Sequence, residues 1–201
     1  MSEHNIIVQG GTSVRLPTAG KYCDRDIIVT AEGGKDDSNE VWEEHLRNIL
    51  ERNTWELVVP NGTTKIGDYM FTNHSQLIVK ELPDSITYVG STAFQSCGKV
   101  ALTKLPKNLV TLANSAFFNC GSLNITHIPA NVESIGNTAI SRCHTIRSLT
   151  FEGTPKTISA TAFSNNNGLK DIYVPWAEGE VANAPWGATN TTIHYNYVEE
   201  R

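Results

Sequence analysis

A short motif returns along this chain at an unvarying interval of 23 residues. A small or flexible residue followed by an aromatic or aliphatic one stands at Met70-Phe71, Ala93-Phe94, Ala116-Phe117, Ala139-Ile140 and Ala162-Phe163. An aliphatic residue sits four places before each pair (Ile66, Val89, Leu112, Ile135, Ile158), and another six places after its second member (Leu77, Val100, Leu123, Ile146, Leu169). Self-similarity at a fixed period of this size is the mark of a solenoid, in which each unit buries its apolar face only against its neighbours.

The unit predicts its own shape. A short β-type stretch comes first, then Pro60, Pro83, Pro106 or Pro129, which ends a strand because it lacks an N–H. A second apolar stretch follows, closed by Gly67, Gly90 and Gly136, with Ala113 and Ser159 in the same place, and then the small-aromatic pair and a polar turn. So short a unit has no room for the helix pairs of other repeat classes, so a leucine-rich-repeat-like, β-rich coil with one or two strands per turn is expected. Stacked coils bring equivalent residues to about 4.8 Å, the spacing of neighbouring parallel strands. Phe71, Phe94, Phe117 and Phe163 are expected to form one internal ladder.

Cys97, Cys120 and Cys143 share one slot of the repeat, which His74 and Asn166 fill in the first and last units. Two readings are open. Equivalent Cα atoms one coil apart fall within reach of a disulfide, and a small, weakly polar buried residue is also what such a turn requires. Zinc is not expected, because no Cys-x-x-Cys or His-x-x-x-His pair exists and the fourth cysteine, Cys23, lies in another segment.

Val89-Gly90 with Ala93-Phe94-Gln95-Ser96-Cys97, and Ile128-Pro129 leading to Ile135-Gly136, resemble the BspA-like leucine-rich repeat. The resemblance covers about residues 58 to 175 and implies a right-handed solenoid of about five repeats. It also implies a role in surface adhesion and recognition, since the family's members are mostly such proteins, with differing ligands. Met70, His74, Ile140 and Asn166 depart from the pattern, mostly at the ends, where solenoid repeats are atypical.

Three pieces flank the repeats. Residues 1–34, with Ile6-Ile7-Val8 and Ile27-Ile28-Val29, read as a small β module for attachment or oligomerisation. Its stretch from Val14 to Ile27 is similar to segments of tail and other minor structural proteins of phages and prophages. Residues 35–57 combine a polar linker with a capping helix over 39–53, where Trp42, His45, Leu46, Ile49 and Leu50 share one face and acidic residues load the first turns. Residues 176–201 form a C-terminal segment similar to those that follow such repeats in phage-encoded proteins. Trp176 and Trp186 there either cover the open end of the solenoid or stack on sugar rings.

The net charge of -5 leaves no electrostatic footprint for nucleic acid. No run of eighteen apolar residues suggests membrane insertion, and the first twenty residues lack the basic and apolar regions of a signal peptide. Motifs for nucleophilic, nucleotide-dependent or metal-dependent catalysis are missing, and no cofactor is implied. Cys143 beside His144 would be a nucleophile and base only if their side chains converged, which neighbours on a strand or turn seldom do.

The remaining chemistry is surface. Strand side chains alternate in direction, so polar positions between the apolar files form outward columns. One runs through Lys80, Thr103, Thr126, Arg147 and Lys170, and beside it lie Glu81, Lys104, His127, Thr150 and Tyr173. A second holds Lys65, Tyr88, Thr111, Ser134 and Thr157. The first pair of columns is the candidate binding face, the alternative being a merely solvated sheet. The apolar positions between them change spacing, from Val79, Leu102 and Ile125 to Leu149 and Ile172, so the strand direction should shift partway along. Together these features point to a non-enzymatic phage or prophage virion component, of tail or fibre, binding a bacterial surface protein or glycan. Other virion proteins, and a homo-oligomer that is trimeric by analogy, are the further expected partners. The alternative is a bacterial cell-surface adhesin of the BspA type.

Overall fold

The computed structural model of the chain describes residues 5–9, 27–30, 55–59 and 61–199. All strand pairing among the described residues is parallel, and from Lys65 to Tyr173 the paired strands step by the 23-residue period. One sheet takes a two-residue strand from each coil: β4 (Lys65–Ile66), β6 (Tyr88–Val89), β7 (Thr111–Leu112), β9 (Ser134–Ile135) and β11 (Thr157–Ile158). The register is Lys65 to Tyr88 to Thr111 to Ser134 to Thr157, a step of 23 residues each time. That is the second polar column read from the sequence. Its inward partners Ile66, Val89, Leu112, Ile135 and Ile158 are all buried.

The opposite wall is made of two sheets. β2 (Ile27–Thr30), β1 (Asn5–Gln9), β3 (Trp55–Val58) and β5 (Leu77–Ile78) lie in that order, and β13 (Thr192–His194), β12 (Asp171–Tyr173), β10 (Ser148–Phe151) and β8 (His127–Ile128) form the other. Between them, among the described residues, the coils are joined by a bridge from Val79 to Val100 and by single backbone hydrogen bonds such as the Asn124 amide to the Leu102 carbonyl. The interruption has a cause in the sequence. In the first three coils the buried residues stand two and then three apart, as Leu77, Val79 and Leu82, Val100, Leu102 and Leu105, and Leu123, Ile125 and Ile128. In the last two the order is reversed, three and then two, as Ile146, Leu149 and Phe151, and Leu169, Ile172 and Val174. A spacing of two matches the alternation of a strand, and where it comes second, over Leu149 to Phe151 and Ile172 to Val174, the longer strands β10 and β12 form.

Of the N-terminal module expected over 1–34, the described residues are β1 and β2, and β1 pairs with both β2 and β3; the rest of it lies outside the described residues. The helix expected over 39–53 lies outside the described residues.

Inside the coils, Phe71, Phe94 and Phe117 stack face to face, with centroids 5.2 and 5.3 Å apart. Phe163 holds the equivalent backbone position, but Ile140 stands between it and Phe117. Its ring instead meets Phe151 and Trp186 edge to face, at 6.2 and 6.5 Å. The backbone file is continuous even where the ring stack is not. The amides of Phe71, Phe94, Phe117, Ile140 and Phe163 donate in turn to the carbonyls of Ala93, Ala116, Ala139, Ala162 and Trp186. The first four of these turns place two residues in the left-handed region, Tyr69, Thr92, Ser115 and Thr138 and then Asn73, Ser96, Asn119 and Arg142, and the fifth places Asn165 alone, with φ from 50° to 64°. Asn tolerates that conformation better than most residues, which accounts for its recurrence at the second position. Gly90 closes the preceding stretch because the coils meet there. A Cβ on it would lie 2.6 Å from backbone atoms of Gly67 and Asp68.

The cysteine slot resolves into one repeated bond. Cys97, Cys120 and Cys143 are free and buried, and their Sγ atoms donate to the carbonyls of Phe71, Phe94 and Phe117 at 2.8, 3.0 and 3.1 Å. Asn166 repeats the bond with its Nδ2 on the Ile140 carbonyl at 2.6 Å, and its Oδ1 accepts from the Cys143 amide at 2.7 Å. The slot therefore requires a small buried donor to the coil before it. Replacing Asn166 with Leu leaves a buried N–H and a buried carbonyl less well satisfied, and is expected to cost about 2–3 kcal/mol. Asn166→Cys, which restores only the carbonyl bond, should fall between Leu and the native residue in urea denaturation.

Trp176 and Trp186 are 2% and 0% exposed; they meet each other edge to face, and Phe151 packs edge to face on Trp176 and tilted on Trp186. Both indoles are buried, and of the two readings weighed for them burial favours covering the solenoid's end over stacking on sugar rings. Cys143 and His144 also diverge. The thiol is buried on the Phe117 carbonyl, while the imidazole is exposed.

Candidate binding face

The outer side of the sheet formed by β8, β10, β12 and β13 presents a straight row. Register aligns His127 with Thr150, Thr150 with Tyr173, and Tyr173 with His194. Flanking residues Leu149, Phe151, Ile172 and Val174 point inward and are buried, so alternation turns the row outward. Lys104 and Glu81, exposed at the equivalent positions of the two preceding coils, extend it beyond the regular strands.

The row is chemically uneven. At its C-terminal end the Tyr173 ring lies parallel to the His194 imidazole, with centroids 4.4 Å apart and planes 11° apart. His194 Nε2 is 2.8 Å from Asp171 Oδ1, which faces outward from the adjoining strand. Tyr197 packs tilted against Tyr173, with centroids 4.7 Å apart. At the other end His127 Nδ1 lies 2.9 Å from the Thr126 hydroxyl and its Nε2 lies 3.3 Å from Glu199. The middle, Thr150, is small, which leaves a shallow step between two polar aromatic ends.

The neighbouring column expected from the sequence does not run straight. A step of 23 residues carries Thr126 to Leu149, which is buried, so Lys80, Thr103 and Thr126 do not continue into Arg147 and Lys170. Arg147 and Lys170 are neighbours on their own account, with the Lys170 amide donating to the Arg147 carbonyl at 2.8 Å. The Arg147 guanidinium is turned along the rim to the His144 carbonyl, 2.6 Å away. They form a cationic rim beside the row. The reversal of the apolar spacing displaces that column.

Sequence reasoning missed His194, Asp171 and Glu199 as members of the face. The last coil is 21 residues long rather than 23, with Tyr173 aligned on His194, so the period pointed past it. The usable signal was the dipeptide Ile193-His194, which repeats the apolar-then-polar order of Ile172-Tyr173.

A model of the BspA type leucine-rich repeat region matches residues 50–170 in six copies. The chain is a member of that family. Among solved structures, this BspA-type protein is similar to the pneumococcal vaccine antigen PcpA, with a TM-score of 0.51 and 18% identity over 74% of this chain and 43% of that one. It is also similar to a leucine-rich repeat protein from Bacteroides ovatus ATCC 8483 (TM-score 0.45, 21% identity, 70% of this chain and 42% of that one). A third match is a leucine rich cell surface protein from Faecalibacterium prausnitzii A2-165 (TM-score 0.42, 18% identity, 59% of this chain and 48% of that one). The chain thus spans under half the length of each. No curated protein matches it. Among the described residues no helix is long and apolar enough to cross a membrane, and no group of three metal-ligating side chains occurs.

Proposed function

We propose that this BspA-type protein is a non-enzymatic recognition protein that engages a bacterial surface protein or glycan through the outward row of its C-terminal sheet. The observation that carries the reading is the row itself. His127, Thr150, Tyr173 and His194 are held in register on a rigid parallel sheet and present rings, hydroxyls and imidazoles at about 4.8 Å intervals. Lys80, Glu81, Thr103, Lys104, Thr126, Arg147 and Lys170 surround it as a polar, mixed-charge border. Polar aromatic anchors in a border of this kind are the usual make-up of a binding hot spot.

The finer reading is a phage or prophage virion component of tail or fibre, supported by the likeness of residues 14–27 and of the segments around Trp176 and Trp186 to phage-encoded proteins. In that setting β1 and β2 belong to the part that attaches to the particle, and a homotrimer is the expected assembly. The second reading, a BspA-type adhesin of a bacterial cell surface, is supported by the family of the repeat.

Two measurements test these statements. Purified protein carrying Thr150→Glu and Tyr173→Ala, both outward-facing, should lose at least about tenfold in binding to its target cells, the effect of removing about 1.4 kcal/mol or more of interaction. Unchanged binding across a panel of bacteria that the native chain labels would remove the row from the function. Immunogold labelling of phage particles and of producing cells then separates the settings, with particles labelled for the virion and envelopes alone labelled for the adhesin.

A further inference from the structure

The chain's own C-terminal segment lies across the row. After β13 the chain reverses, with the Asn196 amide donating to the Trp176 carbonyl and the Tyr197 amide to the Val174 carbonyl, both at 2.9 Å. Tyr197 then places its ring on Tyr173, and Glu199 reaches His127 three strands away from β13. Tyr197 and Glu199 thus span the shallow step over Thr150. Between them Val198 is 81% exposed. No backbone hydrogen bond holds Val198 or Glu199 among the described residues, and the Glu199 to His127 contact is exposed on both sides, at 53% and 38%. Contacts of that kind contribute little, so beyond the two backbone hydrogen bonds at its start the strap is held chiefly by one ring.

We infer that the strap is a built-in occupant of the binding row, and that the row is a receptor for extended peptides carrying an aromatic residue followed two places later by a carboxylate. The chemistry is specified at both ends. Tyr173 receives an aromatic ring, and His127, backed by the Thr126 hydroxyl, receives a carboxylate one short extended step away. Tyr197-Val198-Glu199 meets that specification from within the chain, with an effective concentration on the order of millimolar for so short a tether. A partner presenting the same pattern displaces the strap, and the strap lowers the apparent affinity for it by the fraction of time the row is covered. This rests on the proposed role of the row, and it adds the class of ligand and a means of masking it.

The test uses the full-length, isotope-labelled chain with Tyr197→Ala and Glu199→Gln, and as probe a synthetic peptide of residues Asn196 to Arg201. Adding peptide should move the amide resonances of His127, Thr150 and Tyr173 in the variant back toward their native positions. The unaltered chain should need at least about threefold more peptide for the same response. A peptide with its tyrosine changed to alanine should be silent. Glu199→Gln alone, which touches no core residue, should give an intermediate opening if the double variant is poorly folded. The inference is overturned if millimolar peptide leaves the row of a folded variant unmoved, or moves native and variant chains equally. Loss of cell binding on changing Thr150 and Tyr173 is read separately, so the recognition role can stand while the strap fails, and the reverse.

Discussion

Raising the pH from 8 to 11 should unfold the solenoid, with its three central thiols as a principal cause. Burial pushes the Cys97 and Cys143 thiols up to about 12. Burial, and then the proximity of Cys143 and Cys97, raises the Cys120 thiol as well. Each is therefore a proton held by the native state and released by the unfolded chain, where a thiol titrates near 8.5. A folded pKa above the unfolded one contributes stability that is fully present below about 8.5 and declines as the pH rises toward 12. The slope is about 1.4 kcal/mol per pH unit for one thiol and about 4 for three together, enough to exhaust an ordinary domain's stability within about three units. Circular dichroism against pH, in the presence of a reductant, checks the outcome. Serine at all three positions keeps a hydroxyl donor for the Phe71, Phe94 and Phe117 carbonyls and removes the titration. Its alkaline midpoint should move upward by at least about one unit, and an unmoved midpoint would assign the transition to other groups. For the same reason iodoacetamide at neutral pH should leave these three cysteines unmodified until the chain is unfolded.

The second large effect concerns the ring stack. Phe117 is fully buried, stacked on Phe94 at an interplanar angle of 2°, and backed by Ile140 in the next coil. Phe117→Ala removes a ring from the middle of a file whose neighbours are fixed by the backbone ladder, so the cavity cannot collapse. A loss of about 3–5 kcal/mol is expected. Phe118, one residue on and half-buried beneath the Arg142 guanidinium at 5.4 Å, should cost far less when changed in the same way. Because each coil contacts only its neighbours, hydrogen exchange should show protection falling most in the coils on either side of residue 117. A uniform loss across all coils would argue for a single cooperative core.

The two predictions draw on features of unequal visibility in the sequence. The coil, its period and the files of Leu77, Val100, Leu123, Ile146 and Leu169 were legible because one side chain per coil repeats without a slip. The cysteine slot was legible as a slot but not as a bond. Nothing in a run of Cys, Cys, Cys and Asn states that each donates to a carbonyl in the coil before it until the coils are stacked. The face was legible where the period held, which is why His127, Thr150 and Tyr173 lie in one register-matched row. It became illegible where the period changed. The shift in apolar spacing at Leu149 moved Arg147 and Lys170 out of the column that Thr126 heads, and the short last coil hid His194. Trp176 and Trp186 illustrate a different limit. Indole in a polar, Ala- and Gly-rich segment suits a sugar site and an end cap equally well by composition, and only their burial decides between them.

The donor slot carries one more consequence. Every coil from the second to the fifth is fastened to its predecessor by the same thiol-or-amide contact and the same amide-to-carbonyl step, so the joints are interchangeable. A whole coil can be copied in or dropped out as a cassette without redesign of those on either side. Lineages of such proteins therefore have a direct route to altering reach and the number of surface positions on offer, while each new length inherits a scaffold already known to close.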